Sequence, residues 1–185
     1  MKRVGTMFGM TLALFITLSL FSAGPLSASG NDSDIVTYKS CQHCGMDREK
    51  FAHSRMLIEY DDGTTVATCG LHCSAVDLAN NIDKTPKTIK VADFGSKELI
   101  NAERAVWVIG GSKQGVMTRN AKWAFNSKDN AATFIKENGG VLADFEVAIK
   151  TAYEDMYNDT RMIRDKRKQM KMKKDVQNKN QGGSK

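Results

Sequence analysis

Cysteine is absent from most of this 185-residue chain: it occurs at Cys41, Cys44, Cys69 and Cys73 and nowhere else. A disulfide among residues so close in sequence would close only a short loop and add little by chain entropy. Proline is almost missing, with Pro25 and Pro86 alone. No apolar run reaches the ~20 residues that a membrane-spanning helix requires. Aromatic residues make up 8% of the chain.

What is present begins with a leader pattern. Lys2 and Arg3 precede an uncharged, mostly apolar run over 7–21, followed by small residues to Ser29. This reads as a secretory signal peptide over 1–29, with cleavage after Ala23, Ala28 or Gly30. An uncleaved N-terminal membrane anchor is the alternative. No cysteine lies near the cleavage site, so a lipid anchor is not expected there. The expected location is periplasmic or otherwise exported. About 155 residues remain, enough for one ordinary domain.

Charge is uneven. The net charge is +6, yet from Thr160 onward ten Lys and Arg face two Asp, which leaves the rest slightly acidic. The basic balance therefore belongs to a tail over 159–185 and not to the domain over 30–158. Such a tail suits a solvated helix end, an anionic membrane surface or an acidic partner. Nucleic acid is not an expected partner outside the cytoplasm.

Residues 31–40 read as a loose leader. Residues 51–60 and 65–68 flank Asp61-Asp62-Gly63-Thr64, an Asp-Gly hairpin signal. Apolar residues at 71, 75, 76, 78, 79 and 82 keep helical spacing. Pro86 closes that segment, and 88–94 alternates as a strand does. The order then recurs: a strand over 105–109, a glycine turn, a strand over 115–126, a helix from Ser127 to Asn138 stopped by Gly139-Gly140, and a short strand over 141–143. The expected fold class is α+β, two tandem ββαβ units at about 41–95 and 104–144. A long helix follows from Phe145 to about Lys168. Asn178–Lys185 reads as disordered.

The chemistry-bearing segment is C-Q-H-C-G-M at Cys41–Met46. Two residues between Cys41 and Cys44 let both thiolates turn toward one ion. Gly45 permits a tight turn, and Met46 adds a thioether. Thiolate with thioether is a soft ligand set that favours Cu(I) over hard cations. Cys69 and Cys73 are one helical turn apart if a helix starts near Gly70, where the dipole is expected to lower thiol pKa. The intervening hairpin starts after the first pair and ends at the second, so both pairs are expected to meet. Cys41 and Cys44 are expected to form the edge at which the metal is exchanged.

This pattern, C-Q-H-C-G-M followed by an apolar Asp-Asp-Gly hairpin and a cysteine just past its second strand, resembles the NosL family. Members are accessory copper proteins associated with nitrous oxide reductase. The resemblance spans Tyr38 to Tyr153. It implies two ββαβ units, a Cu(I)-binding, non-enzymatic protein, and delivery of copper to an extracytoplasmic cuproenzyme or its maturation complex. Cys41, Cys44, Gly45 and Met46 carry the motif. The chain departs from the family in lacking a lipid-modified cysteine and in having Cys73.

The metal set is therefore Cys41, Cys44, Met46, Cys69 and Cys73, with His43, His72 and Met56 as secondary candidates. Three other readings stand beside it. Four thiolates suit a structural zinc site. Two disulfides suit an oxidising compartment. A C-x-x-C thiol-disulfide protein is the enzymatic alternative, although the motif precedes a hairpin and does not open a helix after a strand. Covalent haem is excluded because Gly45 stands where C-x-x-C-H needs histidine. Met170 and Met172 in the basic tail are candidates for transient copper contact or for a solvated helix end.

Overall fold

The computed structural model describes residues 33–182; the expected signal peptide over 1–29 lies outside them. The chain is α+β, with two antiparallel sheets and a long C-terminal helix. A short helix α1 (Ser33–Thr37) occupies part of the expected loose leader. The first unit contains β1 (Met56–Tyr60), β2 (Thr65–Thr68), α2 (Leu71–Asn80) and β3 (Pro86–Ala92), with an added edge strand β4 (Leu99–Asn101). The second contains β5 (Val106–Ile109), β6 (Lys122–Phe125), α3 (Lys128–Asn138) and β7 (Val141–Ala143). Helix α4 runs from Phe145 to Gly182.

Both units use the same layout. The first strand lies in the middle, paired antiparallel with the second on one side and the third on the other: β2-β1-β3-β4 and β6-β5-β7. The β1–β2 turn closes as the Asp-Gly signal demands. Gly63 takes φ 83°, and the Asp62 carboxylate accepts from the Thr64 N–H at 2.8 Å. Pro86 opens β3 and does not merely end the preceding segment, since a first strand position tolerates the missing N–H. The α3 boundaries follow their caps. Ser127 Oγ accepts from Asn130 N, and Gly139 takes a positive φ at the far end.

Several expectations needed correction. Strand β4 falls in a segment without alternation. Residues 51–54 are turns, and the strand starts only at Met56. Only Lys122–Phe125 of the expected 115–126 strand pairs with β5. Gly115 explains part of this: a Cβ there would lie 2.8–2.9 Å from Thr118 and Ala121, so the chain folds tightly on itself and cannot extend. Helix α4 continues to Gly182, past the expected disorder at Asn178.

The units share their interior. One apolar cluster joins Met56, Ile58, Tyr60 and Val91 of the first sheet to Trp107 of the second and to Phe145, Ala148 and Ala152 of α4. The second joins Cys41, Cys69 and Cys73 to Val108, Trp123, Phe125 and Phe134 of the second unit. A seam at Asp93 stitches the units together. Phe94 N donates to Ala124 O, and Asp93 Oδ1 accepts from Asn126 N, both at 2.8 Å.

Candidate metal centre

The first cysteine pair sits on a closed turn. Cys41 N–H donates to Met46 C=O at 2.8 Å, and Gly45 N–H to Cys41 C=O at 2.9 Å. Gly45 takes φ 76°, a left-handed conformation that a Cβ makes unfavourable. Gln42 straps this turn to β2: its N–H reaches Ala67 O at 3.1 Å, and its Oε1 accepts from Ala67 N at 2.8 Å.

The second pair follows directly. Strand β2 ends at Thr68, Cys69 comes next, and Cys73 stands in the first turn of α2. Ser54 Oγ holds the Cys69 carbonyl at 2.8 Å. Thr68 and Ser74 share a hydroxyl hydrogen bond of 2.7 Å across the helix start.

All four Sγ atoms lie within 4.8 Å of one another. Cys44 Sγ is 3.5 Å from Cys69 Sγ, and Cys69 Sγ is 3.8 Å from Cys73 Sγ. These separations are well beyond the ~2.05 Å of a disulfide bond, and all four thiols are free. Cys41, Cys69 and Cys73 are buried, and Cys44 alone is half-exposed. Of the two cysteines expected at the exchange edge, only Cys44 reaches solvent. The Gln42 strap turns Cys41 inward, beneath the end of β2.

Crowding sorts the thiols by acidity. Hydrogen bonds from Cys44, then Cys69 and Cys73, hold Cys41 far below the ordinary thiol range. Cys44 settles at about 7: Cys41 pushes it up, and hydrogen bonds from Cys69 and Cys73 more than offset that. Cys69 and Cys73 are pushed up, first by Cys41 and then by Cys44. The lowering expected for them from the α2 dipole is thus reversed, because the cluster places its first negative charge on Cys41. A bound soft cation removes this competition, since a coordinating thiol is deprotonated outright.

The other candidates sit in different surroundings. Met46 packs against the cluster that holds Cys41, Cys69 and Cys73. His43 Nε2 is 2.9 Å from Asp77 Oδ1, and Asp77 Oδ2 accepts from the Tyr60 hydroxyl at 2.5 Å. His72 Nδ1 faces Asp159 of α4 at 3.5 Å, close enough for an ion pair but without hydrogen-bond geometry. Burial depresses the His72 pKa against the pull of Asp159. Met56 is fully buried in the first apolar cluster, among Ile58 and Tyr60 and apart from the thiols.

Sequence reasoning missed a buried ionic brace behind the site. Arg48 and Arg55 are both 0% exposed and share Asp34. Arg48 bonds Asp34 Oδ2 at 2.7 Å, Thr68 O at 3.1 Å and Met56 O at 3.2 Å. Arg55 Nη2 donates to Asp34 Oδ1 at 3.0 Å, and its Nη1 donates to Lys97 O at 2.7 Å. Burial raises the Asp34 pKa, but hydrogen bonds from Arg55 and Arg48 outweigh it and hold the carboxyl below its usual range. Arg48 also interacts electrostatically with Cys41. Two guanidinium groups against one carboxylate leave a net positive charge beside a cluster that carries negative charge.

The far side of the site is aromatic. Phe94 meets Trp123, Phe125 and Phe134 at centroid distances of 5.0–5.8 Å, and His53 meets Phe94 edge-on at 5.7 Å and Trp123 at a tilt at 5.4 Å. Burial lowers the His53 pKa, aided by Lys97 and Lys113. On the solvent side Cys44 and Met46 open into a groove of about 570 Å³ between the 114–118 loop and α4. Met117 in that loop holds φ 61°, a region that costs a residue other than glycine about 1–3 kcal/mol.

The sequence model of the NosL family matches residues 32–153. The chain belongs to the NosL family. That span contains the whole cysteine cluster and both ββαβ units, while most of α4 lies beyond it. A solved relative, the copper chaperone NosL from Shewanella denitrificans, is 22% identical. The match covers 58% of this chain and 87% of that one, with a TM-score of 0.47. No curated protein sequence matches the chain.

Proposed function

We propose that this NosL family member is a Cu(I)-binding accessory protein. It carries copper outside the cytoplasm to a cuproenzyme such as nitrous oxide reductase. The observation that carries the reading is the convergence of four free thiols, three buried and one half-exposed. Cys41, Cys44, Cys69 and Cys73 hold the ion, with the Met46 thioether beside them. Sulfur-only donors suit a soft ion such as Cu(I).

The site transfers an ion and transforms no substrate. Cu(I) needs only two or three soft ligands, so an incoming sulfur displaces one ligand at a time. Cys44 is the leaving edge, because it alone meets solvent. The buried Cys41 thiolate keeps its hold until last, with the Arg48 charge compensating it. The signal-peptide pattern expected over residues 1–29 supports export. The basic part of α4 supports contact with an acidic partner or an anionic membrane surface.

One observation favours a second reading. Separations of 3.5 and 3.8 Å lie near the edge length of a tetrahedron with Zn–S bonds of about 2.3 Å. A zinc-stabilised domain without cargo would show one zinc per chain and unfold when the zinc is removed. The copper reading expects an already folded metal-free protein that exchanges Cu(I) reversibly with a chelator under anaerobic conditions. Cys44→Ser is expected to weaken Cu(I) binding by about tenfold or more in that competition; full retained affinity removes Cys44 from the site.

A further inference from the structure

The second half of α4 has no task in holding an ion. The helix packs on the body only as far as Ile163, and every residue from Arg164 to Asn178 is exposed. It nevertheless runs on to Gly182, about 28 Å of unsupported length. The sequence does not favour such an arm by itself. Seven Lys and Arg stand between Arg164 and Lys174 against Asp165 alone. Arg164 with Lys168, and Arg167 with Lys171, place like charges four positions apart, a spacing that opposes helix formation. Among the described residues none of these seven makes an ion pair. A helix that is polar on every side and short of stabilising pairs is the kind that bridges to another body.

The base of the arm meets the site. Lys166 and Arg167 line the groove into which Cys44 opens, and among the described residues no carboxylate lines it. Phe51, Val116 and Ile163 supply apolar wall. We propose that this groove and the basic arm dock an acidic segment of a partner protein. Its carboxylates pair with Lys166, Arg167 and the arm beyond them, and its apolar side chains pack against Phe51, Val116 and Ile163. Docking there brings the partner to the mouth of the groove beside Cys44. The proposal rests on the reading of Cys44 as the edge from which copper leaves. The concentrated charge speeds encounter with an acidic partner and selects against a basic one. A membrane surface fits the arm less well. A helix lying on lipid gathers its apolar side chains on one face, whereas Met170 and Met172, two positions apart, point to opposite sides.

The probe is a fluorescein-labelled peptide of Glu-Glu-Leu repeats, added to the reduced, metal-free full chain. Fluorescence anisotropy is expected to show binding that weakens steeply with salt, and the bound peptide is expected to slow alkylation of Cys44. Lys166→Glu combined with Arg167→Glu is expected to weaken peptide binding by about tenfold. Cu(I) affinity of that variant, read by chelator competition, is expected to stay unchanged. Absence of binding, or binding that the charge reversal leaves unaltered, overturns the docking surface. Binding that leaves Cys44 alkylation unchanged overturns it as well, because the peptide then sits elsewhere. Phosphatidylserine vesicles that displace the peptide and leave Cys44 reactive assign the arm to a membrane and overturn it too. The copper reading fails separately. If Cu(I) does not protect Cys44 from alkylation, that reading falls, and the anisotropy result still decides the docking surface.

Discussion

The two ββαβ units share one strand order but begin their helices differently. In the second unit Ser127 caps α3 in the ordinary way, its hydroxyl accepting from Asn130 N. In the first unit Gly70 stands at the α2 cap and no side chain bonds the helix end. Cys69 and Cys73 flank the start instead. A side-chain cap typically contributes about 1 kcal/mol; the first unit forgoes it and ties the same segment down through Ser54 to Cys69 O and Arg48 to Thr68 O. The second unit has no cysteine and contributes aromatic bulk. A duplicated frame has thus been divided between a thiol-bearing, polar-braced half and an aromatic half that covers it.

The sharpest way to break this contrast is at the brace. Asp34→Ala leaves two fully buried guanidinium groups without their shared carboxylate, and a loss of about 3–5 kcal/mol is expected in urea unfolding. A loss of only a few tenths would mean that the first unit does not depend on the brace. In the aromatic half, Phe134→Ala is expected to lose about 3 kcal/mol by the same measurement, with little effect on Cu(I) affinity if the second unit acts only as a cover.

Acid sharpens the comparison further. Asp34 has a folded pKa below its ordinary value of 3.8, so the unfolded chain binds the proton more readily. Its contribution is present above that value and is lost as pH falls through the lower, folded one. The expected slope in this window is up to about 1.4 kcal/mol per pH unit; Asp34→Asn should flatten it. The smallest effect is expected at Gly70→Ser. A Cβ there meets its neighbours at ordinary contact, 3.6 Å and beyond. The added cap should raise stability by a few tenths of a kcal/mol, visible as a small rise in melting temperature.

Legibility in the sequence followed the range of the interactions. The Asp61–Thr64 turn, the Ser127 and Gly139 caps and the spacing of the cysteine pairs are local, and local signals predicted them. Convergence of the pairs was legible because a hairpin necessarily returns the chain to its start. Asp34, by contrast, meets Arg48 and Arg55 across 14 and 21 positions, and no periodicity marks such a pairing. Strand β4 exists because β3 offers it an edge. His43 was a secondary candidate by its place between two cysteines; its contact with Asp77, 34 positions away, carried no sequence signal. The reversal of the Cys69 and Cys73 acidities comes from neighbouring sulfurs that a helix-dipole argument leaves out.

The shared interior has a consequence for how the protein is made. Synthesis runs from the N-terminus, so Cys41 through Cys73 emerge while Trp123, Phe125 and Phe134 are still unmade. For that interval the thiols lack the aromatic cover that closes over them in the finished fold. Until the second unit closes over them, the sulfurs are open to air, stray metal ions and mispairing, and a helper that guards them acts in that interval.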